Sequence, residues 1–588
     1  MLVSWQLIQK TRKQVERETG TVIKPPGSAL PVALVYPNTY SLAMSNLGFL
    51  TIYHHLNLRY DVMCERAFLP DKQDILEFER TKTALFSYEN QLPLNNFAIL
   101  GVALSFELDY INFLKILELS GIPLLAAQRS EGYPLIVAGG PTATFNPEPL
   151  AEFVDVFVLG EGEQTMSSLV DCYQTWLKDG GVKADLLNKL ANIPGLYVPS
   201  LYTVKYYPDG IVRSVTAQTV MPALIRKSIE CLDNYPAYSY VMTPDTEFKD
   251  MFLLEISRGC GRHCRFCMAG YCYRKPRYRS LTKVLELAHL GLKYRHKIGL
   301  VGAAISDYPE IDQLCTALME MGAKISVASL RADSLTETLV SSLAKSGHRT
   351  ITLAPEAGSE RMRRVINKGI SEEDIIQAVQ MARKKGIPHV KLYYMVGFTE
   401  ERDEDIEAIV QQAIKLRQLI DNDGHPSGMI TLSINPFIPK PFTPFQWDAM
   451  ANLKEIEQKF RYIDTSLRKY KNVEVITESP KWSLIQGALA RGDRRIGAVI
   501  LSAMRLGGGH GAWRKAFAEH DLSLDFYNHR KRLTTEQLPW QHLGMGVGAA
   551  YFISEAQKAQ QEIMTSPCPL GPCTRCGVCK TGGCDDGK

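Results

Sequence analysis

Apolar residues between positions 31 and 180 fall in short runs separated by amphipathic stretches. Pro31–Tyr36, Ala98–Ser105, Leu135–Gly140 and Val156–Gly160 have the length and composition of buried strands. Leu47–Leu58 carries apolar side chains at helical spacing, and helices are also predicted up to Leu119 and from Glu163 onward. Strands alternating with helices imply a doubly wound parallel sheet. Residues 31–180 therefore read as a Rossmann-like domain. The loops at its strand ends are rich in Gly, Pro and Asn, where such sheets bind ligands. Residues 1–30 read as a helix and a linker around Pro25-Pro26-Gly27. Residues 181–250 read as a connector with a β-hairpin around Pro208-Asp-Gly210.

A second alternating series occupies 251–445. Its predicted strands are Phe252–Ser257, Ile298–Ala304, Ile325–Ser329, Thr350–Ala354, Val390–Val396 and Ile430–Pro436. Six strand–helix steps imply a partial (β/α)6 barrel, with the chemistry at the C-terminal strand ends. Residues 446–565 read as a helical region, and 566–588 as a Cys-rich tail with little core material. The fold class is α/β.

The chain has 588 residues, which at roughly 100–200 residues per domain gives three or four domains. Its 45% hydrophobic and 22% charged residues are ordinary for a globular protein. A net charge of +4 does not indicate nucleic acid or a membrane surface. No apolar run approaches the ~20 residues of a membrane span, and Met1–Lys13 lacks the features of a signal peptide. Thirteen cysteines, clustered at 260–272 and 568–584, then point to metal binding in a reducing cytoplasm rather than to disulfides.

The first cluster carries the chemistry. Cys260, Cys264 and Cys267 stand at C-x3-C-x2-C spacing directly after the first barrel strand. Four thiolates close a 4Fe–4S cluster. Three leave one iron without a protein ligand, which is the logic of an open catalytic metal site. Zinc or reduced structural thiols are the alternatives, and nearby Cys272 is read as a bystander.

With Phe266 just before the last cysteine, the run resembles the radical S-adenosylmethionine (SAM) superfamily. The resemblance implies that SAM chelates the open iron through its amino and carboxylate groups. An electron from the cluster, supplied by a reductant such as flavodoxin or ferredoxin, then cleaves SAM to a 5′-deoxyadenosyl radical. It also implies SAM-binding roles at strand ends. Gly302 and Ala303 stand where the family often has Gly-Gly-Glu; the Glu is missing, leaving backbone carbonyls for the methionine amino group. Ser329 and Arg331 end the third strand, and the guanidinium fork matches the SAM carboxylate. Glu356 is matched to a ribose hydroxyl, and the backbone of Val396 and Gly397 to adenine.

Thr352–Lys368 and Ser433–Trp447 resemble the branch of this superfamily with an N-terminal cobalamin-binding-type domain; they also resemble tRNA and ribosomal-protein methylthiotransferases. The first likeness implies cobalamin at Gly139, Gly140, Gly160 and Gly162, although the cobalt-ligating Asp-x-His-x-x-Gly is absent and His54 and His55 read as helix residues. Gln486–Arg495 reads as a substrate-binding arginine cluster or a solvated helix end, the second preferred. In the tail, Cys568, Cys573, Cys576, Cys579 and Cys584 suit a second iron–sulfur cluster or zinc. The expected activity is cobalamin-dependent methylation of an unknown substrate. The alternatives are a methylthiotransferase-like or other RNA- or ribosome-modifying radical enzyme, and a zinc-stabilised binding protein without catalysis.

Overall fold

The N-terminal sheet takes its strands in the order β2-β1-β3-β4-β5-β6. These are β1 (Leu30–Tyr36), β2 (Val62–Phe68), β3 (Ile99–Ala103), β4 (Leu135–Gly139), β5 (Val156–Val158) and β6 (Leu196–Tyr197). The first five are parallel, and β6 joins β5 antiparallel. The computed structural model describes residues 4–580 apart from 28, 219–220, 230, 426–427 and 570–572. Strand β2 was not expected, because Glu65 and Arg66 interrupt its apolar pattern. Both are buried all the same. Arg66 is paired with Glu18 and Glu89, each at 2.6 Å.

Alternation along β1 sends Val32 and Leu34 to one face and Ala33 and Val35 to the other. The first face packs under the helices Leu47–Leu58 and Gly162–Asp179. The second is covered by the helix Tyr110–Leu119 and by helices from residues 480–560, including Ile496, Val499, Trp513 and Phe552. The C-terminal region is thus built into the N-terminal core. Burying each such side chain contributes about 1.5–3 kcal/mol.

After the antiparallel hairpin of β7 (Tyr202–Tyr206) and β8 (Val212–Ala217) comes β9 (Met251–Glu255). The short strands β10 (Ser257–Arg258) and β11 (Arg277–Tyr278) follow, then β12 (Lys297–Val301) and β13 (Lys324–Ser326). The series ends with β14 (Thr350–Glu356), β15 (His389–Val396), β16 (Ile430–Pro436) and β17 (Val473–Thr477). Parallel pairing forms two curved pieces, β13-β12-β9 and β14-β15-β16-β17. A single parallel bridge, Leu330 to Leu353, connects them. The six expected barrel strands are present, in an open arrangement. The seventh, β17, lies inside the region expected to be helical; it is a half-exposed edge strand in a charged stretch, which hid its alternation.

Among the described residues no helix is long and apolar enough to cross a membrane.

Candidate active site

The cysteine loop begins where β9 ends. Antiparallel pairing of Ser257 with Tyr278 and Arg258 with Arg277 makes residues 259–276 leave and return at one place. Gly259 permits the departure. Its φ is +81°, and a Cβ there would lie 2.0 Å from the Tyr273 carbonyl oxygen. Within the loop, the Cys267 N–H donates to the Cys264 carbonyl at 3.1 Å. Arg265 is fully buried. It donates to the carbonyls of Arg364 (3.1 Å), Val365 (2.8 Å) and Ile563 (2.6 Å), and pairs with Glu555 at 3.2 Å. Glu555 belongs to the helix Ala549–Gln560, so the C-terminal region clamps the loop.

Cys264 is buried, and Cys260 and Cys267 are half-buried. Burial, then Cys264 and Cys267, push the Cys260 thiol up to about 12. Burial and Cys264 likewise raise Cys267. The three sulfurs therefore feel one another's charge. Yet among the described residues no three His, Cys, Asp or Glu side chains converge to hold a single ion. Soft thiolate donors favour iron–sulfur chemistry, and iron binding would displace their protons. The loop thus fits a 4Fe–4S cluster with one iron lacking a protein ligand.

Positive groups surround the thiols. Arg331 Nη1 lies 4.0 Å from Cys264 Sγ. Its other nitrogens donate to Asp333 at 2.9 and 3.0 Å and to the Lys368 carbonyl at 2.7 Å. The guanidinium expected to meet a SAM carboxylate is thus oriented by Asp333 beside the thiols. Arg262 donates to Asp307 (2.7 Å) and Asp333 (2.9 Å). Lys368 Nζ lies 3.3 Å from Glu356 Oε1 and 6.0 Å from the Phe266 ring centroid. Glu356 sits at a bulge in β14 with φ +68°.

Strands β14 to β16 alternate between fully buried and half-buried residues. Leu353, Leu392, Val396 and Leu432 face the helices. The opposite, concave face carries Glu356, Lys391, Tyr393, Met395, Ser433 and Asn435. Asn435 Oδ1 is buried without a partner. Of these only Glu356 was singled out from sequence, although the alternation itself marks the rest. Val396 points into the core instead. Its carbonyl accepts from Phe437 N–H at 2.8 Å, and Gly397 N–H donates to Glu401 at 2.8 Å. Gly302 backs onto the root of the cysteine loop: a Cβ there would lie 2.4 Å from Ser257 Oγ. Ala303 and Ser329 are exposed after β12 and β13.

A cavity of about 300 Å³ opens at the carboxyl ends of β1, β3, β4 and β5. Gly139, Gly140, Gly160 and Gly162 all line it, with Phe49, Val102, Val137 and Met166 as apolar wall. Its floor is Glu255, Arg258 and Tyr273, at the foot of the cysteine loop. These floor residues were missed from sequence; Arg258, two positions before Cys260, was the available signal. Arg258 donates to Glu163 and Glu255, both at 2.9 Å. Arg277 grips Glu161 through two bonds of 2.9 and 2.7 Å. His54 does not line the cavity; it stacks on Tyr240, with centroids 3.8 Å apart.

The family model "Radical SAM superfamily" matches residues 254–413, and "Radical SAM proteins, N-terminal" matches 48–199. Uncharacterized protein MJ0966 of Methanocaldococcus jannaschii is 32% identical over 471 residues, 80% of this chain and 90% of that one. The chain belongs to the radical SAM superfamily. The cofactors of a radical SAM protein are a 4Fe–4S cluster and SAM, and the thiols of the cysteine loop are chemically suited to the cluster. "Uncharacterized methyltransferase PH0819" of Pyrococcus horikoshii is 29% identical over 295 residues, 48% of this chain and 58% of that one. A solved structure of the radical SAM methyltransferase TsrM from Kitasatospora setae, with cobalamin and a 4Fe–4S cluster bound, covers 84% of this chain and 99% of its own at 13% identity. The TM-score of that likeness is 0.48.

The Gln486–Arg495 segment is not a solvated helix end. Arg491 is fully buried and donates to the carbonyls of Asp448 (2.7 Å) and Asn528 (3.0 Å). Arg494 reaches Glu148 at 2.7 Å, and Asn146 donates to the Ala490 and Gly492 carbonyls at 2.9 Å each. The segment stitches the C-terminal helices to the N-terminal sheet. Cys568 lies against the cysteine loop, with Cys573, Cys576 and Cys579 near it, and Cys584 lies outside the described residues.

Proposed function

We propose that this radical SAM protein is an enzyme that cleaves SAM reductively at a 4Fe–4S cluster held by Cys260, Cys264 and Cys267. We further propose that it couples this to cobalamin-dependent methylation of an unreactive carbon. One observation supports the coupling above all. The cavity lined by Gly139, Gly140, Gly160 and Gly162 shares Arg258 and Tyr273 with the foot of the cysteine loop. Two cofactors seated there would be neighbours.

When bound, the cluster supplies the electron and the corrinoid carries the methyl group. The chain's own residues do the rest. Arg331, Arg262 and Lys368 place positive charge around the thiols. Glu356 would accept from a ribose hydroxyl. Lys391, Tyr393 and Asn435 offer polar contacts to a substrate on the concave face. Glycines in the cavity would let a flat macrocycle approach the backbone, and the apolar wall would exclude water. The working compartment is a reducing cytoplasm, with a flavodoxin- or ferredoxin-type donor.

Anaerobic reconstitution with iron, sulfide and cobalamin tests this reading. Cys264→Ala should lose 5′-deoxyadenosine formation; retained cleavage would remove the cluster assignment. Gly139→Val should lose bound corrinoid by tenfold or more at unchanged iron content. A Cβ at Gly139 would meet Val158 alone, its Cβ at 3.5 Å and its carbonyl oxygen at 3.9 Å, both ordinary contacts, so the sheet should tolerate it. A wild-type protein that takes up iron but no corrinoid would sink the methylation half.

A further inference from the structure

The Cys-rich tail doubles back onto the cysteine loop. Cys568 N–H donates to the Gly261 carbonyl at 2.8 Å, and Cys568 Sγ lies 3.3 Å from His263 Nε2. On the other side of that ring, Tyr551 Oη lies 2.5 Å from Nδ1. Gly261 allows the approach, since a Cβ there would lie 3.3 Å from Cys568 Cβ. Farther along, Gly548 N–H donates to the Cys576 carbonyl at 2.9 Å. Arg575 N–H donates to Cys573 Sγ at 3.5 Å, and its guanidinium to the Ser566 carbonyl at 2.6 Å. Cys573, Cys576 and Cys579 all lie near Cys568.

Beside these sulfurs sits an unmatched charge. Arg274 is 2% exposed, and its three guanidinium nitrogens face no acceptor in good hydrogen-bonding geometry; the Tyr551 hydroxyl is a polar neighbour, and among the described residues no carboxylate is paired to it. It lies over the rings of Tyr271 and Tyr551, at 4.8 and 5.8 Å from their centroids, and within electrostatic reach of Cys568 and Cys576. A buried guanidinium without an anion is costly. Four thiolates on an iron–sulfur core carry net negative charge and would supply that anion.

We propose that Cys568, Cys573, Cys576 and Cys579 bind a second iron–sulfur cluster, with Arg274 as its buried countercharge. His263, which lies between Cys260 and Cys264, touches this second site through Cys568. The cluster supplies the folding energy that a tail without its own core lacks, and so fastens the tail to the loop.

The test is metal and sulfide analysis of the anaerobically reconstituted full chain, with electron paramagnetic resonance after reduction. The wild type should hold about eight irons per chain at four per cluster. Cys573→Ser, at a half-buried position, should hold about four, and the loop's iron doubles as the internal check on folding. Cys264→Ala should keep the tail's iron. Arg274→Gln should shift the tail signal's midpoint potential downward, because a nearby positive charge stabilises the reduced, more negative state. About four irons in the wild type, all lost in Cys264→Ala, or stoichiometric zinc that disappears in Cys573→Ser, would overturn the proposal. Failure of the SAM-cleavage reading shows separately, as absent 5′-deoxyadenosine in a chain that still carries the tail's iron.

Discussion

Arg265 has no contact with solvent, and its guanidinium is held by three carbonyls and Glu555. Removing one partner of such a buried pair costs about 3–5 kcal/mol. Arg265→Ala should therefore lower the denaturant midpoint by that margin and depress iron uptake by the loop. Normal uptake at normal stability would show that the clamp is dispensable. Arg331 is a different case, since Asp333 already fixes it beside Cys264. Arg331→Ala should weaken SAM binding about tenfold while iron content holds, a charge-assisted hydrogen bond being worth about 1.5–3 kcal/mol. Equilibrium binding of SAM to the reconstituted variant decides it. The three loop cysteines were legible because their spacing is local. His263 and Arg274 were not: their meaning lies in contacts with residues 551 and 568–576, nearly three hundred positions away by the 288 and 305 residues separating His263 from Tyr551 and Cys568.

At the scale of elements, the glycines of the N-terminal strand ends divide into two kinds. Gly160 has φ +91°, and a Cβ there would lie 2.2 Å from the Lys227 carbonyl oxygen. At Gly162 a Cβ would meet the flexible tip of Ile52 at 3.2 Å. Gly160→Ala should destabilise the chain by about 1–3 kcal/mol or more, and Gly162→Ala by much less. Thermal denaturation of the pair checks this, and equal losses would contradict it. The same scale explains what sequence pattern could deliver. Strands β14 to β16 were readable because their core residues are apolar and regularly spaced. Strand β2 was not, because its buried Arg66 is matched by Glu18 and Glu89 from elsewhere in the chain. A local pattern carries no trace of such a match.

Over the whole molecule, the N-terminal sheet and the barrel meet through Glu161, Glu163, Arg258 and Arg277. Burial pushes Glu161 up, but Arg277 and Arg258 outweigh it and hold it below the ordinary carboxylate range. A carboxylate depressed in the folded state contributes stability above its unfolded value, about 4.3, and that contribution fades as pH falls through the folded value. The seam should therefore loosen in acid, and Glu161→Gln should flatten the acid limb of the stability–pH curve. An unchanged limb would place the acid sensitivity elsewhere. That the C-terminal helices complete the N-terminal core was also illegible: Asn146 finds its carbonyls 344 and 346 residues away.

The clamp on the cysteine loop has a consequence in time. Arg265 and Glu555 are 290 residues apart in the chain. At synthesis rates of 5–20 residues per second, roughly 15–60 seconds separate the appearance of the loop from that of the helix that pins it. During that interval the three thiols exist on a growing polypeptide without their seat. Iron insertion is thereby a task for the finished chain, and the nascent one must be carried past oxygen and stray metal with its cysteines unguarded.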